Sequence, residues 1–171
     1  FKKNKEKTDK KLRASGCTPS GLPAWVGIQE ELSRPDAIAI EGVRWKDRKR
    51  MPSKAQRGNI TFHLFEYTRT SEAYFMKSRE NKAKQHEKLV KAITARGYKV
   101  KLHILQMGCR GYMPKTTWDT LRLLPGAKQK MSTAKLKRVY KRLAALAIAR
   151  AYSMIRTRRE IEMNLGKKYT E

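Results

Sequence analysis

Two carboxylates in this chain stand where a hard cation would be held. Asp36 sits in Arg34-Pro-Asp36, just before a β-branched run, and Glu66 sits in Glu66-Tyr-Thr68, at the close of the next one. Oxygen ligands from the ends of adjacent strands suit a divalent ion such as Mg²⁺. Such an ion polarises a phosphodiester and lowers the pKa of an attacking water. A lysine beside it stabilises the charge of the transition state. The chemistry such a site could carry is phosphodiester hydrolysis. The same residues also have a plain structural reading: Pro-Asp is an ordinary turn before a strand, and Glu66 is then a strand-end carboxylate paired to Arg69 or to a loop arginine.

The elements that must position these groups are legible in outline. The run 37–43 (Ala-Ile-Ala-Ile-Glu-Gly-Val) reads as a strand, and Ile60–Thr68, alternating and aromatic, as a second one antiparallel to it. The basic segment 44–58 between them, with Pro52 and Gly58, reads as an exposed loop. Ser71 then caps a long helix with Glu72 in its first turn. The helix's apolar side is Phe75, Ala83, His86, Leu89, Val90 and Ile93, and Gly97 ends it. In Tyr98–Leu105, a third strand, Tyr98, Val100, Leu102 and Ile104 share one face. His103 takes the other, close to the proposed carboxylate site. Strand, long helix and strand form a crossover unit, so the second and third strands should be parallel. A glycine-bearing loop, 107–115, delivers Arg110 and Lys115 to the carboxyl end of the sheet, where open α/β sheets bind ligands. A short helix over 116–124 follows. A last helix, capped by Ser132 or Thr133, runs to about 164, its apolar stripe passing through Leu136, Leu143, Ala151 and Ile161. The expected fold class is α/β, a small mixed sheet of three or four strands with a crossover helix and C-terminal helices.

Charge argues for a polyanionic partner. The 171 residues carry a net charge of +26. Between Lys88 and Arg159 nineteen Lys and Arg residues face one acid, Asp119. Counterion release rewards each phosphate that such residues contact. The organisation follows: a basic extended arm at 1–24 (Lys2, Lys3, Lys10, Lys11), an α/β core at 25–126, and a basic C-terminal helix packed on it at 127–171. Phosphate contacts are assigned to the arm, to Arg44, Arg48, Lys49 and Arg50 in the 44–58 loop, to Arg110 and Lys115, and to Lys135, Arg138, Lys141, Arg142, Arg158 and Arg159 on the last helix. Like charges recur there at i,i+4 (Lys137/Lys141, Arg138/Arg142), which destabilises a helix unless an anion intervenes. Trp45, among the loop cations, is the candidate for stacking on a base, whereas Trp118 should pack its own short helix. His86 reads as a satisfied core histidine.

Other classes are disfavoured. The longest apolar run, Leu143 to Ala149, is seven residues, far short of the roughly 20 that span a bilayer, and no membrane partner is expected. Cys17 and Cys109 make no disulfide framework or zinc knuckle, which points to an intracellular setting, the matrix of an organelle included. The chain opens on Phe1, which reads as a processed form or a piece of something longer.

The order Pro-Asp36, about thirty residues, Glu66-x-Thr68, a helix and a parallel strand resembles the PD-(D/E)XK restriction-endonuclease-like fold. More narrowly, 34–159 is similar to endonuclease-like domains at the C-terminal ends of protist and algal retroelement polyproteins. The matching stretches are 34–42, 63–71, Gln85-His86, 97–100 and 108–111. The resemblance implies Asp36 and Glu66 as metal ligands and Gln85 as the supporting glutamine. It also exposes a departure, because the lysine position holds Thr68, which carries no charge. Arg69 points to the opposite sheet face, leaving Lys82 or Lys101 as possible replacements. Three readings follow. The first is a structural RNA-binding subunit of a large ribonucleoprotein such as a mitochondrial or other organellar ribosome, with no cofactor, RNA rather than DNA, and other proteins of the particle as partners. The second is an active Mg²⁺-dependent DNA endonuclease of a retroelement, which would work in the nucleus. The third is a non-cleaving DNA-binding module.

Overall fold

The computed structural model describes residues 17–18, 21–28, 32–43, 51–122 and 131–167, with side chains described on the last helix through 160 and at 162. Strand β1 is Ala37–Glu41, β2 Thr61–Thr70 and β3 Lys99–Gly108. Helices are α1 (Lys54–Arg57), α2 (Phe75–Thr94), α3 (Lys115–Arg122) and α4 (Thr133–Lys167). The sheet order is β1-β2-β3, with β1 antiparallel to β2 and β2 parallel to β3. The fold is therefore mixed α/β on three strands, and both strand orientations match expectation. The 44–58 segment is not loop throughout, since α1 forms behind Ser53, which exchanges capping-box bonds with Gln56.

Alternation in β2 divides the molecule into two layers. Phe62 and Leu64 face α2 and meet Leu89 and Ile93, all four fully buried. Tyr98 closes this core with Trp25 and Phe62, ring centroids 5.3–5.9 Å apart in tilted or edge-on contacts. On the other face, Leu105 and Met107 of β3 pack with Trp118 and Leu121 of α3 and with Leu136, Leu143 and Ala147 of α4. Trp118 is edge-on to Tyr140 at 5.8 Å, so it packs its helix as its sequence position suggests.

Three boundaries move. Residues 17–18 and 21–24, placed in an extended arm, pack against the body. Cys17 bridges to Pro23, and Leu22 is fully buried, because it is the one large apolar side chain in a Gly/Pro-rich turn next to the core. Ala83 is exposed rather than part of the apolar side of α2. Among the described residues Ala147 is the last of the α4 stripe to be fully covered; Ala151 is part-exposed and the Ile161 side chain lies outside the described residues. Beyond Ala147, Ile148, Tyr152, Met154 and Ile155 are at least half exposed. Length explains this: 35 residues of helix span about 52 Å, whereas the ten of β3 span about 33 Å, so α4 outruns its sheet.

Candidate functional site

Glu66 lies on the α2 side of β2 and is 4% exposed. Its Oε1 accepts from Lys82 Nζ at 2.5 Å and its Oε2 from His86 Nε2 at 3.0 Å. The fully buried His86 has its Nδ1 3.0 Å from Ser33 Oγ. Glu66 as a carboxylate has no hydrogen to give, so His86 Nε2–H donates to it and Nδ1 accepts from the serine hydroxyl. Lys82 and His86 stand one helical turn apart, which aims both at the same strand position. His86 is thus the satisfied core histidine expected, and Ser33 is the partner that sequence reasoning missed. The signal available was the i,i+4 pair of basic side chains on the helix that follows the Glu66 strand.

Thr68, at the lysine position of the resemblance, faces Ser78 Oγ at 3.3 Å. An ammonium reaches Glu66 from the helix instead, as Lys82. Lys101 is exposed on the opposite sheet face, beside His103. Arg69, also on that face, reaches Met154 Sδ at 3.2 Å and makes no pair with Glu66. The β1–β2 register (Ala37 opposite Phe65) carries Asp36 toward Glu66 at the next step. Its Oδ2, however, accepts from the Tyr67 backbone N–H at 2.7 Å. A divalent ion does not suit this donor set. Both Glu66 oxygens are taken, one by a cation, and an Asp36 oxygen is committed to backbone. Among the described residues no three His, Cys, Asp or Glu side chains gather as ligands would. Gln85 is exposed on α2 and contacts neither carboxylate.

Gln85 instead lines an open cleft of about 380 Å³ along α2, with Lys77, Ser78, Asn81 and Lys82. Thr70, at the end of β2, and Tyr74, in the 3-10 turn Glu72–Tyr74, close it. Lys77 has no ion-pair partner among the described residues.

On the far sheet face His63 and His103 stack, with His63 Nδ1 3.0 Å from His103 Nε2, and His63 Nε2 reaches Glu41 Oε2 at 3.1 Å. Burial first, then the neighbouring His63 and Lys101, hold His103 below the ordinary imidazole value. The Glu41 carboxylate can only accept from His63, so with both imidazoles neutral His63 accepts in turn from His103. His103, expected near the carboxylate site, is separated from Glu66 by the sheet, because odd and even positions of β3 face opposite ways.

The predicted phosphate-binding residues that can be described are all on the surface. The Arg110 side chain is 86% exposed, 3.5 Å from Glu72, and Lys115 is exposed at the start of α3. Lys135, Arg138, Lys141, Arg142 and Arg159 are exposed on α4, on the side away from Leu136 and Ala147. Arg158 is exposed too but pairs with Glu162 at 2.9 Å, as Arg156 does with Glu160 at 3.2 Å. Such pairs on a surface contribute little. Lys2, Lys3, Lys10, Lys11, Arg44, Trp45, Arg48, Lys49 and Arg50 lie outside the described residues.

Fold and site together define a strongly basic α/β protein with a Lys-Glu-His-Ser cluster on its central strand, in which Glu66 and His86 are buried and Lys82 and Ser33 part-exposed. Comparison of the chain with protein-family models, with curated proteins and with solved structures returns no match. No helix among the described residues is long and apolar enough to cross a membrane.

Proposed function

We propose that this chain binds nucleic acid without cutting it, as a structural RNA-binding subunit of a large ribonucleoprotein such as an organellar ribosome, on a degenerate endonuclease-like domain. The observation that carries the reading is the outer face of α4. From Thr133 to Arg159 every charged side chain is a cation and each is exposed, with the first acid at Glu160. A solvated helix normally mixes signs to form i,i+4 pairs. One built this way gains most when phosphates lie along it, and RNA helices are read largely through backbone and shape. Binding to structured RNA should therefore fall steeply with salt. Replacing Lys137, Arg138, Lys141 and Arg142 by Gln should flatten the log–log slope by roughly 0.7–0.9 for each phosphate no longer neutralised. A slope near zero for the natural chain would remove the reading. Co-sedimentation with ribosomal particles tests the assembly.

One observation favours a second reading, a metal-dependent endonuclease. Lys82 Nζ stands beside Glu66, where the motif lysine would act. Against it stand the engaged oxygens of Glu66 and Asp36. Incubation with plasmid DNA and Mg²⁺ or Mn²⁺ separates the two. We expect no nicking above that of an Asp36→Ala/Glu66→Ala control; metal-dependent nicking that disappears in that control would establish the second reading.

A further inference from the structure

The C-terminal rim of the sheet carries aromatic side chains that the core does not use. Tyr74, on the wall of the cleft, is 59% exposed, and Tyr112, in the loop after β3, is 55% exposed. They belong to one edge: the Tyr112 ring stacks on Phe75, the residue after Tyr74, with centroids 6.0 Å apart and planes 27° from parallel. That loop is seated against α4, where a side chain at Gly111 would meet Ala144 and Ile148 at 3.2 and 3.3 Å. Cations accompany the aromatics, with Lys77 and Lys82 lining the cleft and Arg110 two residues before Tyr112. The cleft also presents the amides of Asn81 and Gln85, each with a donor and an acceptor.

A duplex hides its base faces in the stack and offers such a rim only phosphates and groove edges. A single strand offers free π-faces, for which exposed tyrosines beside cations are the usual platform. The cleft volume suits one small-molecule-sized group and excludes a double helix. Resting on the reading of this chain as a nucleic-acid binder, we propose that this rim holds a single-stranded segment. One nucleotide sits in the cleft with its phosphate toward Lys77 and Lys82 and its base on Tyr74, and a neighbouring base stacks on Tyr112. The basic face of α4 then tracks the structured part of the same RNA, and the rim takes an unpaired end or bulge.

The test uses the full chain, with fluorescence anisotropy on a labelled single-stranded 12-mer RNA and on a blunt RNA duplex at one salt concentration. Tyr74→Ala/Tyr112→Ala should weaken the single strand by about 5- to 150-fold for each base that no longer stacks, leaving the duplex within twofold. Tyr74→Phe/Tyr112→Phe should retain the affinity. Both tyrosines are surface residues, and an unchanged circular dichroism spectrum confirms that the variants fold. Equal losses on both ligands, or an unchanged single-strand affinity, would overturn the rim site while leaving nucleic-acid binding in place. Failure of the natural chain to bind either ligand would overturn both.

Discussion

At the scale of single residues, the cluster around Glu66 decides stability more than chemistry. A fully buried ion pair stripped of one partner costs about 3–5 kcal/mol, because the remaining charge is uncompensated; here Lys82 is 28% exposed, which holds the cost to the lower end of that range. Glu66→Ala should therefore destabilise by an amount of that order in urea unfolding. Glu66→Leu/Lys82→Met/His86→Leu together should cost far less, since an apolar set of similar volume removes the desolvation penalty as well. A triple variant as unstable as the single one would contradict a purely structural role for the cluster. His103 makes a separate statement about pH. Its folded value lies below that of an unfolded histidine, about 6.5, so the native state binds fewer protons than the unfolded one in that interval. Its contribution is full above about 6.5 and is lost as pH falls through the folded value. The midpoint of thermal unfolding should drop on acidification through that window, and His103→Gln should flatten the drop.

At the scale of elements, α4 is two helices in energetic terms. As far as Ala147 it is held by Met107, Trp118 and Leu121; beyond it, among the described residues, the helix has its own backbone bonds, two exposed i,i+4 ion pairs, the approach of Ile148 to the Gly111 loop and the Arg69–Met154 contact. Amide exchange should be fast over 150–160 and slow over 136–147, and a polyanion such as heparin should slow the distal half selectively. Equal protection along the helix would refute this division. The strands were legible because alternation is visible in the residues themselves: Phe62 and Leu64 against His63 and Phe65, Val100 and Leu102 against Lys101 and His103. Strand, helix of the right length and strand dictated the parallel pairing. The extent of burial on α4 was not legible, since a stripe records which side would be covered and not whether a sheet is long enough to cover it. Nor was the pairing of Glu66. The i,i+4 spacing puts Lys82 and His86 on one face of α2, but which strand position that face meets is fixed only once the crossover places the helix. Leu22 was hidden among Gly and Pro residues whose turn chemistry outweighed a single apolar side chain.

At the scale of the whole molecule, the charge of +26 acts against compaction, and only 39% of the residues are apolar. Self-repulsion of this kind is relieved by counter-charge, and a ligand that binds only the folded form stabilises by mass action. Unfolding temperature should rise with added short RNA and, to a smaller extent, with moderate salt alone. An RNA-independent unfolding temperature would mean that the charge serves something other than nucleic acid.

The three-stranded sheet has one more property. Among the described residues β1 covers β2 only from Thr61 to Phe65, and no strand flanks the outer edge of β2 from Glu66 onward. An open strand edge is a template on which a second chain can grow. Asp36 closes the first step of it, because its carboxylate takes the Tyr67 N–H that a foreign strand would use. The expected consequence is that Asp36 hinders strand-by-strand self-assembly at this edge. Asp36→Val should leave the fold intact while making the protein prone to form β-rich aggregates at high concentration, whereas Asp36→Asn, which still accepts that hydrogen bond, should remain dispersed.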